Sequence, residues 1–410
     1  MAPGIDFVLG RQPDTNWLNN AARKGLITRD TTFNDQFTQV FNQTITFTAQ
    51  LEPIKDLNIA LNLKKTFNKN YSETFRYVDT SGGSNYQFNH LNPYAGGGFD
   101  VSYISYKTLF GKFDPNRVSE TFRKFQDNRV ILSKRLGNAN PYSKAVGQGS
   151  DGYYYGYGKY AVDVLVPAFI AAYTDKDPES VALIKQDNPN IRANPFRAIM
   201  PKLNWKVDYN GLSRVKGFDK IFTNFSLSHG YNGDLSMNGF SSALLYQDKS
   251  KFGYPSFYDS LSGNFIPYFL VPNISIGEQF APLLGIDMMF TNQMQFKVEY
   301  AKSRTLSLSL IDFQLSEVRT TEFSIGAGYR KKGLRMPFNF TLPKFLQSKG
   351  DQKNGKSKLE NEINFRLDFK IRDNVTSNSR LDQDNSFATL GSKDITINPT
   401  IDYYLITGYR

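Results

Sequence analysis

The sequence predicts an all-β fold: part of a very large transmembrane antiparallel β-barrel, with a few short helices and long loops. Three observations carry this. Apolar and polar residues alternate at a period of two over long stretches, as in strands with one apolar face. These stretches run about 8–12 residues, beyond the ~5–6 of most globular strands and close to the ~9–11 of a tilted membrane-crossing strand. No apolar run approaches the ~18 residues that a membrane helix needs. The longest candidate, Val164 to Tyr173, contains Pro167. A barrel of this kind belongs in an outer membrane.

Taken in chain order, Asp14 is placed to cap a helix from Thr15 to Lys24, with Gly25 as its stop and Trp17, Leu18 and Ala21 on one face. Phe41 to Leu51 alternates strictly, turns through Glu52 to Asp56, and resumes as Leu57, Ile59, Leu61, Leu63. Phe67 to Gly98 reads as a long loop. Ser119 can cap a second helix with Phe122, Phe125, Arg129, Leu132 and Leu136 at helical spacing and Gly137 as its stop. Asp177-Pro178 opens a third, through about Gln186.

Between the last two, alternation fails. Gly147 to Tyr160 is rich in Gly and Tyr, and Val162 to Tyr173 is too short to span and too apolar for a free loop. Pro167 argues against a central strand there. Residues 147–187 are therefore expected to form a non-strand insertion at the barrel rim or in its lumen. Tyr155, Tyr157 and Phe169 are its candidate partner or pore contacts; the alternatives are a mobile loop over Gly147–Tyr160 and packing of the segment into its own barrel.

Alternation returns at Leu203–Tyr209, less cleanly at Ile221–His229, then at Met294–Tyr300, Leu306–Leu310, Phe323–Tyr329, Ile363–Ile371 and Ile395–Leu405. Arg366, Asp368 and Lys370, like Lys297 and Glu299, occupy the face opposite the apolar set. In a barrel they would line a watery interior. The turn Thr291–Gln293 is tight. Gly137–Asn204, Lys331–Leu359 and Asp373–Phe387 read as long connections, an asymmetry expected of outer-membrane barrels. At roughly 20–25 residues per strand with its connection, the chain would supply on the order of 12–16 strands. Its last alternation stops mid-strand at Tyr403–Arg410, so the chain reads as a fragment of one large barrel domain spanning 1–410.

The 410 residues carry 49 Lys and Arg against 38 Asp and Glu, a net charge of +11, with no Cys. Disulfides and thiolate metal sites are thereby excluded. The two histidines, His90 and His229, have no metal spacing, and hydrolytic triads and Cys-His pairs lack parts. Gly96-Gly97-Gly98 is not followed by the Gly-Lys-Ser/Thr of a phosphate loop. The expectation is no enzyme, no cofactor, no metal and no nucleic acid. The densest basic group, Lys331 to Lys358, suits a solvated loop, anionic lipid head groups or an acidic partner.

Several stretches carry a resemblance. They are Pro3–Phe7 with Gln12-Pro13-Asp14, Trp17-Leu18 and Ala21–Arg23; Tyr157-Gly158 with Asp163–Phe169 and Ala172-Tyr173; and His229-Gly230-Tyr231. Glu278–Met288, Val298-Glu299-Tyr300, Lys302-Ser303-Arg304 and Leu306–Leu310 complete the set. In this order they resemble the C-terminal part of the SprA/Sov family, the outer-membrane translocon of the type IX secretion system of Bacteroidetes. The resemblance implies export of folded proteins to the cell surface, including those for gliding motility. It implies as partners the secreted substrates, a PorV-like barrel and a periplasmic plug protein, besides lipid and lipopolysaccharide. A porin or TonB-dependent transporter shares the barrel physics, and a soluble β-rich surface or adhesin domain shares the alternation; both stay open on the residues alone.

Overall fold

The computed structural model describes residues 5–8, 17–79, 86–184, 191, 194, 196, 199–332, 360–383 and 386–406. The strands are β1 (Gln36–Leu51), β2 (Leu57–Asp79), β3 (Tyr86–Ser102), β4 (Asn204–Tyr209), β5 (Phe222–Ser242), β6 (Tyr258–Asp259), β7 (Asn264–Phe265), β8 (Phe269–Leu270), β9 (Asn273–Phe290), β10 (Met294–Ser309), β11 (Gln314–Lys332), β12 (Glu360–Arg380) and β13 (Ser386–Ile406). One large antiparallel sheet runs in the order β1-β2-β3-β5-β9-β10-β11-β12-β13. β4 pairs with β2 and β5, β8 pairs with β5, and β6 and β7 form a separate pair. The fold is therefore mostly β.

The strands outrun the sequence alternation. Phe67–Gly98 is mostly strand, because β2 reaches Asp79 and β3 begins at Tyr86. Asp373–Phe387 is likewise a hairpin between β12 and β13. Polar residues on both faces hide these halves from a hydrophobic pattern. Strands of 16 to 23 residues use up the chain faster than the shorter stretches suggested. Among the described residues the large sheet holds eleven strands, nine of them on its main path, against the expected 12–16. The blurred pattern at Ile221–His229 coincides with register shifts of β5 against β9 at Phe222/Asn224 and Ser228/Tyr231. The turn Thr291–Gln293 is as tight as expected, with Gln293 N–H donating to Phe290 O and Gln293 at φ +69°. Short turns also close β10–β11 and β12–β13 at the opposite end, so the asymmetry of connections is only partial.

β3 and β4 share one position between β2 and β5. The chain leaves mid-sheet after Ser102, makes an excursion over residues 103–203, and re-enters at Asn204. Lys202 N–H donates to Ser102 O at 2.8 Å, closing the base of this insertion.

Five helices occur among the described residues: α1 (Ile5–Val8), α2 (Trp17–Arg23), α3 (Glu120–Ala139), α4 (Pro141–Lys144) and α5 (Val162–Tyr173). α2 ends as expected. Gly25 lies at φ +70°, Leu26 N–H reaches Ala21 O and Gly25 N–H reaches Ala22 O, which satisfies the last carbonyls. Its expected cap, Asp14, lies outside the described residues. α3 starts as expected, Ser119 Oγ accepting from Phe122 N–H at 3.1 Å. It does not stop at Gly137 but runs through it, because Gly137 is there for packing: a Cβ would stand 2.3 Å from the Tyr154 ring. The third expected helix is replaced by a turn, Ser180 and Val181 N–H both donating to Asp177 O; Lys185–Gln186 lie outside the described residues.

Helix instead forms one segment earlier, in α5, despite Pro167 inside it. Every residue from Asp163 to Tyr173 is buried. An interior proline costs about 3 kcal/mol, whereas each fully buried large apolar side chain returns about 1.5–3 kcal/mol. Val164, Leu165, Val166, Phe169 and Ile170, at 0–4% exposure, outweigh the proline. They pack against α3 and against Val101, Leu235, Ile276, Leu306 and Leu308 of the sheet in one core.

Candidate functional site: a polar groove and a fastened insertion

Because side chains alternate across a strand, an unbroken register fixes which residues share a face. β10 pairs with β11 without a slip from Met294↔Tyr329 to Ser309↔Gln314, and β11 with β12 from Gln314↔Arg380 to Lys332↔Glu362. One face carries Gln295, Lys297 and Glu299 of β10, Glu322, Ser324 and Gly326 of β11, and Asn364, Arg366, Asp368 and Lys370 of β12. They line a groove of about 580 Å³. Its charges are matched: Lys297–Glu299 at 2.9 Å, Arg366–Asp368 at 2.7 Å and Lys370–Glu322 at 2.7 Å. Half-exposed pairs of this kind contribute only about 0–1 kcal/mol each. What they confer is a hydrated, charge-balanced surface, which Phe296, Ile325 and Phe369 also border.

The other face has two halves. In the half nearer the β1–β2 and β9–β10 turns it is apolar and uncovered. Ile45, Phe47 and Leu51 on β1 and Ile395, Ile397 and Ile401 on β13 are 43–65% exposed. Phe365, Leu367, Phe369 and Ile371 lie beside the latter, opposite Ile401, Pro399, Ile397 and Ile395. In the far half, the same face is roofed by the insertion. On β2, for example, Ile59, Leu61 and Leu63 are followed on the same side by Lys65, Phe67 and Lys69, which are 1–6% exposed.

Where roof and sheet meet, charged side chains take over apolar-face positions. Arg304 of β10, 1% exposed, is paired with Glu278 of β9 and stands 3.9 Å from Glu317 of β11. Arg319 Nε donates to Glu317 at 2.6 Å. This cluster reaches up into the insertion. Ser105 Oγ donates to Glu278 at 2.7 Å, Arg304 Nη2 to Thr108 Oγ1 at 2.7 Å, and Arg319 Nη1 to Leu109 O at 3.1 Å. Lys176 donates to the Tyr103 hydroxyl. The signal for these residues was in the sequence: each interrupts an apolar alternation, Arg304 before Leu306 and Glu278 between Ile276 and Phe280.

The sequence-predicted contacts are not brought together on a surface. Tyr157 and Phe169 are 2% and 0% exposed, which corrects their assignment as direct contacts. Tyr157 is locked by Asn140 Nδ2, which donates to its hydroxyl at 3.0 Å, and by Ser133 Oγ, which donates to its carbonyl. Phe169 meets Phe125 edge-on at 6.2 Å. Burial pushes the Tyr157 and Tyr173 hydroxyls far above the usual phenol range, so both stay neutral. Only Tyr155 is part-exposed, stacked 4.4 Å from Tyr258.

His90 is 2.6 Å from Glu73 and 3.2 Å from Asn19, tying α2 to β2 and β3; His229 Nδ1 lies 2.7 Å from Leu283 O. No group of three or more His, Asp or Glu poised for a metal occurs among the described residues, and no described helix is long and apolar enough to cross a membrane. No protein-family model matches the chain, and no curated protein matches it.

Proposed function

We propose that this chain is a section of the wall of a very large outer-membrane barrel that exports folded proteins to the cell surface, as its resemblance to the SprA/Sov family implies. One observation supports this most: a bare apolar band and a charged, grooved face lie back to back at the same height of the sheet. From Ile363 to Ile371, nine residues rise about 30 Å along the strand and about 23 Å at a tilt near 40°, against the ~25 Å apolar band of known barrels. The band then faces lipid and the groove faces a watery lumen. No covalent chemistry is needed; the wall supplies a passage. Secreted substrates, a PorV-like barrel and a periplasmic plug are the partners this reading carries with it.

The absence of Cys makes single-cysteine labelling direct. Nitroxides placed singly along 363–371 in the full-length protein in nanodiscs should report lipid at odd positions and water at even ones. The reverse parity would overturn the barrel register. Deleting the gene should trap secreted proteins inside the cell while small-solute uptake stays normal. Lost uptake with intact secretion would favour a porin or TonB-dependent transporter.

A further inference from the structure

We infer that the underside of the insertion, the loop Tyr106–Arg117, docks on anionic phosphate-bearing lipid head groups of the nearer leaflet; this rests on the barrel reading above. The pleat decides the side. Since the insertion roofs the same face that carries the bare apolar band, it lies outside a barrel whose lipid face is that band, and not in the lumen. It overhangs the membrane surface, and this loop meets the sheet at the border of the band, with Arg319 Nη1 donating to Leu109 O. Leu109, 0% exposed, seats it against Tyr231 and Phe280, with Tyr106 edge-on to Trp205 at 6.1 Å. These rings continue the band upward as an aromatic border, as at membrane interfaces.

The outward surface of the loop combines an apolar tip with cations. Phe110 is 49% exposed, its ring 5.6 Å from Phe280 and 4.9 Å from the Lys302 ammonium. Lys107 and Arg117 have side chains 65% and 85% exposed. Their carboxylate neighbours, Asp175 and Asp114, stand off at 3.4 Å and are half-exposed, so they are easily exchanged. Lys302 is part-buried beneath the Phe110 ring and shares Glu278 with Arg304, whereas Lys112 forms no ion pair among the described residues. Lys107, Lys112, Arg117 and Lys124 border an open groove of about 680 Å³, large enough for a phosphorylated head group, and outnumber the carboxylates Asp114, Glu120 and Asp175 that share it. An exposed Phe beside a surplus of cations at the lipid border suits neither free water nor a neutral surface. It suits an anionic interface, where the ring enters the head-group layer and the ammonium groups meet phosphate.

The test places a bimane label singly at Phe110, Leu367 and Leu261 of the full-length protein in nanodiscs. Leu261, 96% exposed, reports water, and Leu367 reports the band. Brominated phosphatidylglycerol and brominated phosphatidylcholine serve as quenchers. The Phe110 label should be quenched on the order of two-fold more by the anionic lipid, and Lys112→Gln with Lys302→Gln should abolish that preference while Leu367 stays quenched. Equal quenching by the two lipids, or none at Phe110 with Leu367 quenched, overturns the inference and leaves the barrel standing. An unquenched Leu367 overturns the barrel reading itself.

Discussion

Leu367 and Arg366 are neighbours on β12 that face opposite sides, and the difference between them is measurable. Leu367→Arg should cost about 2–4 kcal/mol if the band lies at mid-membrane. Arg366→Leu gives up only an exposed pair with Asp368 and should cost no more than about 1 kcal/mol. Urea titration of the protein folded in lipid vesicles checks both. Arg304 poses a different question. Removing it leaves Glu278 buried without its cation, while Glu317 keeps Arg319, so Arg304→Ala should destabilise by about 3–5 kcal/mol. The loss should be local, because the contacts of the cluster lead into residues 105–109. Limited proteolysis should cut the insertion of the variant while the strands survive; cleavage no faster than wild type would deny Arg304 a fastening role.

At the scale of elements, α3 and α5 are held by close approach and burial more than by helix propensity. Gly137→Ala ordinarily favours an exposed helix by about 1 kcal/mol. Here the new Cβ would press on Tyr154, whose carbon atoms lie 2.3–2.4 Å from its position, so the change should instead destabilise by about 1–3 kcal/mol. Ser119→Ala removes the cap of α3 and should cost about 1 kcal/mol. Thermal melting of the two variants separates the effects. A stabilised Gly137→Ala protein would show that Tyr154 yields without cost.

For the whole molecule, the sheet's two ends decide its behaviour. Among the described residues β1 pairs only with β2 and β13 only with β12, so there each leaves one row of backbone groups without a strand partner. In hydrocarbon each such group costs several kcal/mol. Residues 1–410 alone should therefore insert poorly and give no uniform single-channel steps in a planar bilayer. Regular, identical steps from a heat-modifiable monomer would mean that the edges find each other.

Strand identity and facing were legible because period-two alternation is local. Phe365, Leu367 and Phe369 opposite Arg366, Asp368 and Lys370 need no partner to be read, and Ser119 and Gly25 announce helix ends by chemistry confined to a few residues. The far halves of β2 and β12 were not legible. Their apolar-face positions hold Lys65, Lys69, Ser377 and Ser379; Lys65 and Ser377 are tolerable there because the insertion offers the Ile199 and Pro115 carbonyls, while Lys69 lies over the Phe269 ring and Ser379 pairs with Ser386. The same holds for α5. Its sequence marks it as too apolar for a loop and Pro167 argues against a strand, but that it is a helix follows from burial among α3 and strands β3, β5, β9 and β10. The sequence by itself determined the alternation, the charge-balanced polar face and the lack of thiol chemistry. The tertiary structure alone decided that β3 and β4 share one position, that Tyr157 and Phe169 are core residues, and that the insertion lies on the side of the apolar band. Those are consequences of contacts between residues far apart in the chain, which no local pattern encodes.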